Sequence, residues 1–127
     1  SIAKRIDFIK SLIEKMKKSI VCSPYNFTKN FSPFYLPIFV DESKIKCDKK
    51  TFALALQAEG ITLGEHYGCI ISDWIWAKNY MYDDFISLNA ASTRDRTFNL
   101  HLNEEYGEQE VDDIINSILK IESYFLT

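Results

Sequence analysis

Apolar residues recur at steps of three and four from the start of the chain: Ile2, Ile6, Ile9, Ile13, Met16 and Ile20. This spacing predicts an amphipathic helix over residues 1 to 20. Phe8 and Leu12 widen its apolar stripe beyond what one sheet face needs to cover. The stripe reads equally as touching two bodies, the helix's own core and something outside this chain, or as lying in one deep groove.

Residues 22 to 33 are turn-formers with aromatics between them and predict a loop pinned by Tyr25, Phe27 and Phe31. From Phe34 to Val40 the content is apolar, β-branched and aromatic, which predicts a strand. Pro37 lacks a backbone donor and argues for an edge or a bulge there. Asp41 to Lys46 then turn the chain. Asp48 is a good N-cap for a helix running to about Glu59, with Cys47 and Phe52 at the two staple positions and Phe52, Ala55 and Leu56 facing inward. Gly60 supplies the residue past the helix end that most readily takes a positive φ. Ile61 to Leu63 predict a short strand.

Between residues 67 and 85 lie Tyr67, Trp74, Trp76, Tyr80, Tyr82 and Phe85, a stretch too bulky for a plain surface loop and read as one or two short helices around Trp74 to Tyr82. Phe85 to Ser92 lead into Thr93-Arg94-Asp95-Arg96, and Thr97 to Leu102 alternate as a further strand. Tyr106 and Gly107 break the chain. From Glu108 a closing helix has acidic residues in its first turns and buries Val111, Ile114, Ile115, Ile118, Ile121 and Phe125. The fold class this order implies is α+β, a small and mainly antiparallel sheet of about three strands covered by helices.

Length and composition narrow the picture. The 127 residues make one domain, residues 1-127, with 46% hydrophobic and 26% charged residues and a net charge of -3. Disorder is disfavoured by that balance. With the lysines scattered, no electrostatic footprint for nucleic acid is visible. No apolar run is long enough to cross a bilayer and no signal peptide is present, so no membrane partner is expected. Cys22, Cys47 and Cys69 are odd in number and widely spaced, for which a reducing, cytoplasmic location is the simplest account. The first residue is Ser1, which suggests a processed, trimmed or excised chain.

Three of the four glycines fall at Gly60, Gly64 and Gly68. They flank Glu65, His66 and Tyr67, two titratable groups and a phenol at a strand exit. That trio reads either as a ligand-facing edge or as a hydrogen-bonded turn with an exposed histidine. Arg94 and Arg96 flank Asp95 just before a strand, where a guanidinium could take a carboxylate or phosphate in a fork; a surface ion-pair network is the other reading. Trp74 and Trp76 are interface candidates. No metal spacing, nucleophilic triad or phosphate-binding glycine loop is present.

The segments Pro37 to Asp41, Phe52 to Ile61, His66-Tyr67, Arg94 to Leu100 and the helix from Glu108 to Glu122 together resemble the C-terminal small domain of the DegT/DnrJ/StrS family of pyridoxal-phosphate sugar aminotransferases. The resemblance spans nearly the whole chain. It implies the fold type I architecture and a cytoplasmic homodimeric parent that transfers an amino group, usually from glutamate, to a nucleotide-linked keto sugar in polysaccharide biosynthesis. The cofactor-bearing lysine would lie in a missing N-terminal large domain, so pyridoxal phosphate is expected in the full-length parent and none in the isolated chain, which should be inactive and hold no catalytic residue. The resemblance makes His66, Tyr67, Arg94 and Arg96 the candidate substrate-binding residues. Gly68 and Cys69 stand where the family usually has proline after the His-Tyr pair. A sugar dehydratase of the same family is an alternative, and so is a free-standing α+β interaction module.

Overall fold

The computed structural model describes residues 2–25, 35–66 and 88–127. Helix α1 (Ile2–Met16) is followed by strands β1 (Cys22–Pro24) and β2 (Tyr35–Val40), helix α2 (Lys49–Ala58), strand β3 (Leu63–Gly64), helix α3 (Leu88–Arg96), strand β4 (Thr97–His101) and helix α4 (Glu108–Phe125). The strands form one sheet in the order β1-β2-β4-β3, antiparallel at every pairing. The architecture is the expected α+β packing, with Cys22–Pro24 supplying a fourth strand.

The alternation in β2 decides which face is core. Leu36, Ile38 and Val40 are buried, and across the ladder Leu36 meets Leu100 while Ile38 meets Phe98. Phe8, Ile9, Leu12 and Met16 of α1, Phe52 and Leu56 of α2, and Val111, Ile114, Ile115 and Ile118 of α4 join them in one core. Each such side chain contributes about 1.5–3 kcal/mol when fully removed from water, so these helices are held chiefly by their apolar stripes. Half-buried Lys15 joins α1 to α4 outside that core, reaching Glu108 at 2.9 Å and Asp112 at 2.7 Å.

Four features differ from the sequence expectations, each for a local reason. The first helix stops at Met16, and Ile20 is exposed. Beyond Ser19 the backbone donors find side-chain partners: the Ile20 N–H donates to Glu122 Oε1 at 3.1 Å, and the Cys22 N–H to Ser19 Oγ at 2.9 Å. The Ser19 hydroxyl donates in turn to the buried Glu122 carboxylate. Second, the start of the stretch read as a loop forms β1, paired Cys22 to Val40 and Pro24 to Ile38.

Third, Pro37 sits in an interior strand rather than at an edge. Its carbonyl accepts from the Tyr25 N–H at 2.8 Å. In an extended strand the N–H and C=O of one residue point the same way, so the donor proline lacks would face the place where β1 has just ended. The ladder to β4 loses nothing. Fourth, the lead-in before β4 is a helix, α3. The aromatic segment from Tyr67 to Phe85, with Trp74 and Trp76, lies outside the described residues, as do Phe27 and Phe31.

Candidate functional site

Helix α2 begins and ends as its sequence dictates, and both ends shape the region around His66. The Asp48 carboxylate caps the start, accepting from the Thr51 N–H at 2.8 Å, and hydrogen bonds from the Thr51 side chain first and its backbone second hold the carboxyl below the usual carboxylate range. At the other end Gly60 takes φ 94°, its N–H donates to the Gln57 carbonyl at 2.9 Å and the Ile61 N–H to the Leu56 carbonyl at 3.2 Å. These paired bonds turn the chain sharply back along α2 into β3.

Among the described residues strand β3 is an edge strand, and side chains of α2 meet its outward carbonyls. The His101 N–H donates to the Thr62 carbonyl at 3.2 Å, so Thr62 faces β4. Carbonyls alternate along a strand, which turns those of Leu63 and Glu65 outward. Gln57 Nε2 donates to the Leu63 carbonyl at 2.8 Å, and Lys49 Nζ donates to the Glu65 carbonyl at 2.6 Å. The same ammonium lies 3.4 Å from the Arg94 carbonyl in the last turn of α3. Lys49 is only 5% exposed, and burial holds its ammonium below the usual lysine range against the pull of Asp95, Glu65, Glu42 and Asp48.

Lys49 thus joins two of the regions singled out in the sequence, the turn leading to His66 and the end of α3. His66 is exposed and Glu65 half-buried; Tyr67 lies outside the described residues. Arg94 is half-buried, with Nε 3.0 Å from Asp95 Oδ1. Arg96 places its guanidinium 5.1 Å from the centre of the Phe39 ring, and its Nε donates to the Ser92 carbonyl at 3.3 Å. Two residues apart on a helix, these arginines leave α3 in different directions and do not converge on one anion. Beside Arg96 an open cleft also includes Asp41 and Glu42. The Asp41 carboxyl is held below its usual range by hydrogen bonds from Ser43, so an anion approaching Arg96 meets an ionised carboxylate.

Sequence reasoning missed Lys49, because one lysine in a helix start carries no periodic or motif signal. Its only signature is position: it immediately follows the cap Asp48 and precedes Phe52 by about one turn, on the buried side. His101 does not join His66. The register Gly64 to Asn99 sends His66 toward the Thr97 end of β4, while His101 closes the other end. There it borders a second cleft of about 420 Å³ with Thr62, Tyr106, Asp113 and Ser117.

Among the described residues no cluster of His, Cys, Asp and Glu could hold a metal, and no helix is long and apolar enough to cross a membrane. Burial pushes the Cys22 thiol far above its ordinary range, with the Glu122 charge adding to it, so Cys22 is no thiolate nucleophile. The described residues also do not fit pyridoxal phosphate. Lys49, the one buried lysine among them, directs its amine at backbone carbonyls, and Lys120, which borders the cleft beside His101, is exposed with its ammonium paired to Glu59 at 2.7 Å.

No family model matches the sequence, and no curated protein matches it. Solved structures do match the fold. PseC of Helicobacter pylori, an aminotransferase in the biosynthesis of pseudoaminic acid, superposes with a TM-score of 0.77 at 17% identity, over 98% of this chain and 33% of its own. Spr1654 of Streptococcus pneumoniae, described as a sugar aminotransferase, does so in its pyridoxal-phosphate form with a TM-score of 0.76 at 18% identity, over 99% and 32%. The GDP-4-keto-6-deoxy-D-mannose-3-dehydratase of E. coli, with bound hydrated pyridoxal phosphate, gives 0.68 at 14% identity, over 92% and 30%. This chain spans about a third of the length of these enzymes. Its fold is that of a fragment of fold type I pyridoxal-phosphate enzymes.

Proposed function

We propose that this chain is the C-terminal small domain of a cytoplasmic, homodimeric pyridoxal-phosphate aminotransferase of the DegT/DnrJ/StrS family, whose parent aminates a nucleotide-linked keto sugar with glutamate as donor. The observation that carries the reading is the superposition of nearly the whole chain on about a third of two sugar aminotransferases. Within that reading the cofactor and its lysine belong to the large domain.

The residues proposed for the sugar side are His66 and Arg94, on the corner fixed by α2, Arg96 on another side of α3, and Tyr67, which lies outside the described residues. His66 supplies a hydrogen-bonding imidazole in an exposed position, and Arg94 a guanidinium of fixed charge suited to a sugar phosphate. A sugar dehydratase is the second reading, favoured by the superposition on the keto-sugar dehydratase, one form of which holds a trapped pyridoxal phosphate-glutamate geminal diamine.

The test separates domain from parent. The isolated 127-residue chain, incubated with pyridoxal phosphate and treated with borohydride, should show no site-specific lysine adduct by peptide mass mapping. The full-length polypeptide should show one, in its large domain. A single stoichiometric adduct within residues 1–127 overturns the assignment. Incubation of the parent with a nucleotide-linked 4-keto sugar and glutamate then distinguishes amination from dehydration by product mass.

A further inference from the structure

A lysine that is 5% exposed, with its ammonium directed at two backbone carbonyls, is an unusual way to finish a helix and a strand. Burying a charge costs free energy that two neutral acceptors offset only in part, and lysine is among the residues least often found inside. The same corner contains a neutral solution to the same need, since Gln57 closes the neighbouring outward carbonyl of β3 with an amide. What the lysine adds is reach. Its long side chain starts at the first residue of α2, and its ammonium can donate in three directions, so it ties Glu65 and Arg94, 29 positions apart in the chain, to one point. The Arg94 carbonyl belongs to the last turn of α3, where helix carbonyls lack intrahelical partners and a cation offsets the helix dipole.

We infer that Lys49 is the positioning residue of the candidate site. Its ammonium makes the turn carrying His66 and the helix end carrying Arg94 move as one body, both referenced to α2 and through it to the core. Phe52 and Leu56, fully buried one and two turns along the same helix, anchor that reference. The structural part of this inference stands on the contacts alone; its consequence for substrate rests on the sugar-binding reading above.

Lys49→Met keeps the length and apolar stem while removing every donor. In this variant of the 127-residue chain, amide hydrogen exchange at Gly64 to His66 and at Arg94 to Arg96 should accelerate at least tenfold, while that at Leu100 and Ile118 stays within threefold of the parent chain. Unchanged rates at the corner, or a uniform acceleration that includes Leu100 and Ile118, would overturn the inference, the second by showing mere destabilisation. Should the variant not fold, the unmodified chain still decides: the Lys49 ammonium should give a slowly exchanging, separately resolved ¹⁵N signal at neutral pH, and its absence overturns the tie. In the full-length polypeptide Lys49→Met should raise KM for the nucleotide-linked keto sugar at least tenfold with kcat within threefold. An unchanged KM overturns the positioning role. A polypeptide that turns over no sugar overturns the sugar reading, while the exchange result still stands for the tie itself.

Discussion

The helix-covered face of the sheet and the corner where α2, β3 and α3 meet are built by different forces. On the covered face, Phe52, Phe98, Leu36, Leu56, Leu100 and Ile118 are buried to 2% or less, and cohesion comes from non-directional removal of apolar area. At the corner the elements are short, β3 having two residues, and cohesion comes from directed bonds: Asp48 to Thr51, Gln57 to Leu63, and Lys49 to Glu65 and Arg94. Apolar packing tolerates small shifts, whereas directed bonds fix particular atoms. The difference teaches what holds His66 and Arg94 at the corner, since placing them requires fixed carbonyls more than it requires buried area.

Three substitutions grade that contrast. Phe98→Ala should cost about 3–5 kcal/mol in urea denaturation and speed exchange throughout the sheet, because it opens a cavity where β2 and β4 meet the helices. A loss below about 1 kcal/mol would show that the covered face is not the main source of stability. Gly60→Ala should cost about 1–2 kcal/mol, since alanine must take a φ of 94° although its Cβ would meet nothing within 4 Å. The cost is therefore conformational and not steric, and a neutral result would mean that the turn relaxes.

The smallest effect should be a change in acid sensitivity. The Asp48 and Asp41 carboxyls are held below their usual range in the folded chain, each chiefly by side-chain and backbone hydrogen bonds from Thr51 and Ser43 respectively. A depressed folded pKa means the stabilisation is fully present above the ordinary aspartate value of about 4 and is lost as pH falls from there through the lower folded value. Asp48→Asn keeps a good cap but cannot titrate. Its midpoint temperature should match the parent chain at pH 7, and the fall between pH 5 and pH 3 should be shallower; an identical acid profile would remove Asp48 from the account.

How much of this was legible in the sequence follows the same division. Periodicity exposed α1, α2 and α4 because apolar stripes are what hold them. Asp48 and Gly60 marked the ends of α2 because caps demand those residue types. Helix α3 was not legible, since Asn89, Ser92, Thr93, Arg94, Asp95 and Arg96 give it little apolar stripe and no cap signal. Strand β1 was hidden by Pro24 and by its length of three residues, and the end of α1 by a partner 103 positions away, the Glu122 carboxylate that binds Ser19. Of the candidate site, Glu65, His66 and Arg94 were visible as residue types beside glycines and a strand. Lys49, which joins them, was not, because a carbonyl acceptor leaves no trace in the sequence of its donor.

The measurement closest to the central claim is the intact mass and cofactor content of the native polypeptide, captured from source cells with an antibody raised against this domain. The account predicts a polypeptide about three times the length of this chain, in keeping with the third of Spr1654 and PseC that it spans, carrying stoichiometric pyridoxal phosphate. A native species no longer than 127 residues and free of cofactor would contradict it.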